Sequence, residues 1–275
     1  MFYLLLSISC SLTIAIILKN AQKHVGNKIA MFMANYMICV LCGLYYNGIP
    51  VFNKESGFSL FLGVFSGFMY LAAFVISDID ISKNGMVMQT VFAKLGLLVS
   101  MTLSIILFGE IFNLKQGFGM VIAIAAIILI YFEKGSTSTV TAKHWLIINL
   151  ISSGLSDVMV SIYTNFGNPL YKDQFLLLNF FFALMFSIAF VIYQKKKVAL
   201  KDLLFGFMIG VPNYFSARFM MQALNTVPSI IAHPIVSIGA IASITLVGHF
   251  VFKEDLTMKK WIALAMIAVA IVFLS

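Results

Sequence analysis

Apolar residues in this chain come in unbroken runs, without the alternation of strands or the stripes of surface helices. A helix crossing a bilayer core of roughly 30 Å needs about 20 residues. Ten runs reach that length, at 2–18, 29–47, 57–77, 85–108, 114–132, 144–163, 174–193, 203–224, 229–251 and 257–274. Lipid offers no hydrogen-bond partner to an open strand edge, so helices are expected. The short alternating segments of a membrane barrel are missing from the pattern. It predicts an all-α polytopic membrane protein with ten transmembrane helices joined by short loops. The first run has no basic residue ahead of it and reads as a membrane helix, not a secretory signal.

Composition agrees. Of the 275 residues, 61% are hydrophobic and 10% charged, whereas soluble domains carry about a quarter charged residues. The net charge of +8 does not point to nucleic acid, because the lysines fall in short clusters between the runs. Those clusters set an orientation. Thirteen lysines lie in the loops after odd-numbered runs and three (Lys54, Lys115 and Lys172) in the loops after even-numbered ones. By the positive-inside rule the odd loops are cytoplasmic and both termini lie outside. The expected location is a cell (inner or plasma) membrane. Cys10, Cys39 and Cys42 all sit inside apolar runs and read as small hydrophobes.

Shifted by 144 residues, the sequence resembles itself from the third run to the fifth without a gap. Phe61 falls on Phe205, Tyr70 on Tyr214, and Phe108-Gly109-Glu110 on Phe252-Lys253-Glu254. Leu114-Lys115 falls on Met258-Lys259, and Ala126-Ile127 on Ala270-Ile271. The expected halves are 1–133 and 134–275, five helices each. An odd number makes the second half enter the membrane from the other side, a 5+5 inverted repeat with a substrate site near the midplane.

The stretches around Glu110 (Ile-Leu-Phe-Gly-Glu-Ile-Phe-Asn-Leu-Lys-Gln-Gly-Phe-Gly) and Glu254 (Val-Phe-Lys-Glu-Asp-Leu-Thr-Met-Lys-Lys-Trp) give the chain a family likeness. With the five-plus-five layout, it resembles the EamA-like transporters of the drug/metabolite transporter superfamily. Pro234 matches a proline of that family's fourth helix in the second half, while the first half departs with Thr90. The resemblance implies solute transport by alternating access, a cavity lined by the first, third, fourth, sixth, eighth and ninth helices, and often proton coupling.

A charged side chain at the centre of a membrane helix costs at least ~2.5–3.5 kcal/mol, so such residues are candidates for function. Arg218, the only arginine, falls in the eighth run. Tyr214, Arg218 and Gln222 repeat every four residues and share one helix face, with Asn213 beside them. Lys94 lies in the fourth run, with Thr90 one turn before it, and Asp157 in the sixth. From the cytoplasmic side their depths are ~15 Å for Lys94, ~20 Å for Asp157 and ~22 Å for Arg218. Two cations against one acid leave positive charge for a substrate carboxylate or phosphate, which an arginine fork suits. The alternatives are that Arg218 makes a structural ion pair and that Lys94 is neutral. The expected substrate-binding set is Arg218, Lys94, Tyr214, Gln222, Asn213, Tyr70 and Gln89. Asp157 and His233, the residue before Pro234, are the proton-coupling candidates.

Glu110 and Glu254 read as structural residues near helix starts, and Asn113 with Gln116 as a capping pair. Gly63 and Gly67 form a G-x-x-x-G step for close helix packing. No P-loop, H-E-x-x-H or G-x-S-x-G motif occurs, and no catalytic residue, cofactor or metal site is expected. The reading is a secondary active transporter of a small polar metabolite, such as an amino acid or organic acid, anionic or zwitterionic. Its partners are the lipid bilayer, a small-molecule substrate and a coupling proton, with no nucleic acid. The competing readings are an intramembrane lipid-modifying enzyme and a non-transporting scaffold.

Overall fold

The computed structural model describes all residues except 22, 23, 54, 55, 85, 112, 132–141, 252, 254–256 and 275. Within them the chain forms eleven α-helices and one 3-10 turn, Pro169–Tyr171. The helices are α1 (Phe2–Ala21), α2 (Lys28–Asn47), α3 (Gly57–Asn84), α4 (Met86–Leu95), α5 (Leu97–Phe108) and α6 (Leu114–Tyr131). They continue with α7 (Lys143–Phe166), α8 (Lys172–Gln194), α9 (Leu200–Ala223), α10 (Ser229–Phe250) and α11 (Met258–Leu274). The chain is an all-helical, multi-pass membrane protein of about ten spans, since α4 and α5 together fill one apolar run.

Helix ends follow local chemistry. Asn27 caps α2, its Oδ1 accepting the Ala30 amide at 3.2 Å. Asn113 and Gln116 form the expected capping box of α6: the Gln116 amide donates to Asn113 Oδ1 at 2.8 Å and the Asn113 amide to Gln116 Oε1 at 3.1 Å. Gly48 and Gly109 end α2 and α5 with φ of 69° and 66°, a conformation that suits glycine.

Two helices differ from the hydropathy pattern. The fourth run is broken at Gly96, whose amide donates to the carbonyls of both Phe92 and Ala93. Helix α3 runs seven residues past the expected end at 77. At 1.5 Å per residue its 28 residues reach about 42 Å, more than the hydrocarbon needs. This extension puts Asp78 and Asp80 inside a helix, so Asp157 is not the sole intrahelical acid.

The chain packs as two compact units, residues 1–71 with 159–225 and residues 72–158 with 226–275. Neither coincides with the halves 1–133 and 134–275; each takes helices from both, and α3 and α7 lend one end to each unit.

In the first unit α9 packs on both α1 and α2, and α2 packs on α8. The α2–α9 crossing brings backbones together at Gly206 and Gly210. A Cβ on Gly206 would meet the Met31 carbonyl at 2.1 Å, and one on Gly210 would meet Ile38 Cβ at 2.4 Å. The α3–α8 crossing uses Gly63 and Gly67, where a Cβ on Gly67 would lie 2.7 Å from the Asn179 carbonyl and the Ala183 amide. In the five-plus-five alignment α3 is the mate of α9, and α2 of α8. Two G-x-x-x-G steps thus serve two crossings, α3 on α8 and α9 on α2. Hydrocarbon supplies no hydrophobic drive between helices, so this close approach carries the packing. In the second unit α6 packs along α11, another pair of mates, with Gly119 against the Ala270 carbonyl and Phe273.

Gly206→Ala should lower the thermal midpoint of the detergent-purified protein, at a cost of about 1–3 kcal/mol for forcing two backbones apart. Gly117→Ala meets nothing within 4 Å and should leave the midpoint level or raise it slightly. Equal midpoints for the two variants would remove the glycine contact as the basis of the α2–α9 packing.

Candidate functional site

Polar side chains inside the helices meet in several groups, among them the Arg218 contacts in the first unit and the Gln89 network in the second. In the first unit Arg218 lies five residues before the end of α9. The residue sits in the last turns, beside the α8 start. Its partner is Asp173, in the first turn of α8, where the helix dipole favours an acid. Arg218 Nη1 lies 3.0 Å from Asp173 Oδ1, and Nη2 donates to Oδ2 at 3.3 Å. Nη1 also donates to the Tyr214 hydroxyl at 3.1 Å. The guanidinium carbon stands 3.9 Å from the centroid of Tyr46, a cation–π contact. The Tyr46 ring in turn stacks on Tyr214 at 6.0 Å. The arginine is therefore held on three sides, by carboxylate, phenol and ring face.

The neighbours of this cluster have contacts of their own. Tyr214 is fully buried in an apolar cluster with Tyr36, Cys39 and Phe180, against which Tyr70 packs. Asn213 donates to Asn35 Oδ1 at 3.1 Å, tying α9 to α2. Gln222 is half-buried and its carbonyl accepts from Asn225 Nδ2 at 3.2 Å. Lys172 Nζ donates to Asn225 Oδ1, closing the same end of the unit.

In the second unit Lys94 and Asp157 flank one backbone contact. Gly96 of the α4–α5 break lies against Gly154 of α7, so closely that a Cβ on Gly154 would stand 2.4 Å from the Gly96 carbonyl. Lys94 precedes this contact by two residues and Asp157 follows it by three. Lys94 is half-buried and Asp157 exposed, and an exposed carboxylate at that depth is tolerable only where water or a cation reaches it.

Gln89 belongs to a closed network. Its Nε2 donates to Ser77 Oγ at 3.0 Å, Ser77 Oγ donates to Asn149 Oδ1 at 2.9 Å, and Asn149 Nδ2 donates to the Gln89 carbonyl at 3.0 Å. The ring joins α3, α4 and α7. Thr90 Oγ1 donates to Gln89 Oε1 at 3.3 Å. His233 is buried in α10 beside Pro234.

Glu110 has a sharper structural role than its own helix predicts. Its carboxylate accepts the Ser229 amide at 2.8 Å and the Ile230 amide at 2.6 Å, and so caps α10, the helix that carries His233 and Pro234. Glu254, its mate in the repeat, lies outside the described residues. The hydropathy pattern also missed Asp80. This residue is fully buried; its Oδ1 accepts from Asn84 Nδ2 at 2.6 Å, and Asn84 exchanges two hydrogen bonds with the Ala142 backbone.

The charge balance differs from that expected of Lys94, Arg218 and Asp157 alone. Asp173 pairs with Arg218 at 3.0 Å, and Lys172, the residue before it, donates to the neutral Asn225. Glu110→Ala should cost about 1–2 kcal/mol by exposing the α10 amides, and Glu110→Gln less. Thermal unfolding of the purified variants measures this; an unchanged midpoint for Glu110→Ala would deny it the capping role.

Comparison with known proteins bears on both units. Residues 141–275 match the EamA-like transporter family. A stretch of 61 residues is 38% identical to the probable 4-amino-4-deoxy-L-arabinose-phosphoundecaprenol flippase subunit ArnE of Proteus mirabilis, covering 22% of this chain and 53% of that one. Another of 71 residues is 31% identical to the uncharacterized protein y4nH of Sinorhizobium fredii, covering 26% of this chain and 61% of that one. The matches thus span between half and two thirds of these curated relatives. One solved crystal structure is similar with a TM-score of 0.74 over 98% of this chain and 97% of its own, at 11% identity, a likeness of fold alone.

Proposed function

We propose that this chain, which belongs to the EamA-like transporter family through residues 141–275, is a secondary active transporter that carries a small polar metabolite by alternating access. The cargo is an amino acid, organic acid or similar zwitterion or anion. The observation that carries the reading is the placing of two charged residues, Lys94 and Asp157, on either side of the Gly96–Gly154 backbone contact. A structural contact between two helix backbones needs no charges there, and placing them in the span costs free energy that packing alone does not recover. In this reading Lys94, Arg218, Tyr214, Gln222, Asn213, Tyr70 and Gln89 serve substrate binding, and Asp157 and His233 serve proton coupling. Gln89 and Asn213 would act from the hydrogen-bonded positions described above. The lysine distribution supports a cell membrane location with both termini outside.

A second reading is favoured by one relative. The ArnE match is a flippase subunit by its printed name, so a lipid-linked polar headgroup is the alternative cargo.

Proteoliposome transport separates these readings. A carrier should accumulate a radiolabelled amino or organic acid under an imposed pH gradient, and Asp157→Asn should abolish that accumulation while sparing exchange of substrate across the membrane. Gradient-driven uptake at the original rate in Asp157→Asn would remove this residue from coupling. Loss of dithionite-quenchable asymmetry in a fluorescent phospholipid, without solute uptake, would favour the flippase.

A further inference from the structure

The first unit carries an unbalanced charge at the end where α1 leads into α2 and α8 into α9. Lys19 and Lys28 flank one of these connections, and Lys195, Lys196, Lys197 and Lys201 lie along the other. Among the described residues of both connections the one acid is Asp202. Packing makes the two connections a single surface, because α9 packs on α1 and α2, and α2 on α8. Asp202 is buried where they meet: its Oδ1 accepts the Gly26 amide at 2.9 Å and its Oδ2 the Ala199 amide at 3.0 Å. His24 stacks on Phe205 of α9, with ring centroids 6.1 Å apart. Asp202 bonds neutral amides and so keeps its full negative charge. Six lysines against that one carboxylate still leave a surplus of five positive charges.

Apolar side chains border the charge. Ile192 and Tyr193 precede the three consecutive lysines, Leu200 and Leu204 follow them, and all four are exposed. We propose that this end of the first unit docks anionic phospholipid, with headgroup phosphates on the lysines and acyl chains along the exposed sides of α8 and α9. Lysine clusters at the end of a membrane helix attract anionic headgroups. Their stems also lie along apolar surface while the ammonium groups reach the interface. A soluble anion would answer the charge and leave the apolar border uncovered, and a neutral lipid would do the reverse. The inference stands apart from the transporter reading, since it needs no transported solute. Lys253, Lys259 and Lys260 offer a matched comparison, because their stretch of sequence also holds Glu254 and Asp255.

The full chain, delipidated in mild detergent, is titrated with phosphatidylglycerol or with phosphatidylcholine of the same acyl chains, and bound lipid is counted by native mass spectrometry. A detergent micelle has no leaflets, so the influence of lysines on insertion does not enter. Phosphatidylglycerol should bind at least about tenfold more tightly than phosphatidylcholine, and about 0.5 M salt should remove most of that difference. The triple variant Lys195→Gln, Lys196→Gln, Lys197→Gln should bind phosphatidylglycerol at least about thirtyfold more weakly, and Lys196→Gln alone about fivefold. The single change keeps the test open if the triple variant does not fold. Adding Lys28→Gln to the triple variant should weaken binding further, since both connections face one headgroup region. The comparison variant Lys253→Gln, Lys259→Gln, Lys260→Gln should stay within about twofold of the unaltered protein. Equal losses in the two triple variants would overturn the site, as would phosphatidylcholine binding as tightly as phosphatidylglycerol. No further loss on adding Lys28→Gln would overturn the joined surface. Displacement of phosphatidylglycerol by an equal concentration of inorganic phosphate would overturn the lipid and make the ligand a soluble anion.

Discussion

A charge held among apolar helices must be matched by an opposite charge or by water, and here the helix backbones determine where that matching happens. Lys94 and Asp157 flank the point where Gly96 and Gly154 let α4–α5 and α7 touch backbone to backbone. Larger residues at either glycine would push the two charged positions apart. Arg218 obeys the same constraint by other means. It sits near the end of α9, where the first turn of α8 presents Asp173 and the end of α2 presents Tyr46. Glycine contacts thus decide which polar groups face one another, and polar groups decide what the chain can bind.

The same logic accounts for the polar residues that hold helices together. The Ser77–Asn149–Gln89 ring satisfies three side chains that would otherwise be stranded among apolar neighbours. Glu110 caps α10 from a segment more than a hundred residues earlier in the chain. In this way a proline-bearing helix, which lacks one internal donor, is anchored at its first turn. Asn213 and Asn35 do the same between α9 and α2. These contacts tie the helices of each unit to one another.

Helix number, helix type and most helix ends were legible in the sequence, because an apolar run of membrane length has few alternatives. The capping box at Asn113 and Gln116 was legible too, being local. The α3 extension was not. Asp78 and Asp80 lower the hydropathy after position 77, and what sustains the helix there is a bond from Asn84 to Ala142, 58 positions away. The break at Gly96 was hidden because one glycine in an apolar run is common, and only Gly154 gives it meaning. Candidate residues were legible as types: Arg218 was recognisable as an outlier, but its partner lies 45 positions earlier. Depth along a helix does not name that partner, because contact depends on which helix ends come together.

The central claim is that the Lys94–Asp157 pair exists for transport and not for folding. Replacing both at once, by Lys94→Met and Asp157→Leu, removes the pair and leaves no lone charge behind, which is often neutral or stabilising. Substrate exchange into proteoliposomes, measured together with the thermal midpoint, tests it. The account predicts a folded protein with an equal or higher midpoint and no exchange. Exchange at the unaltered rate by the doubly apolar protein would contradict it.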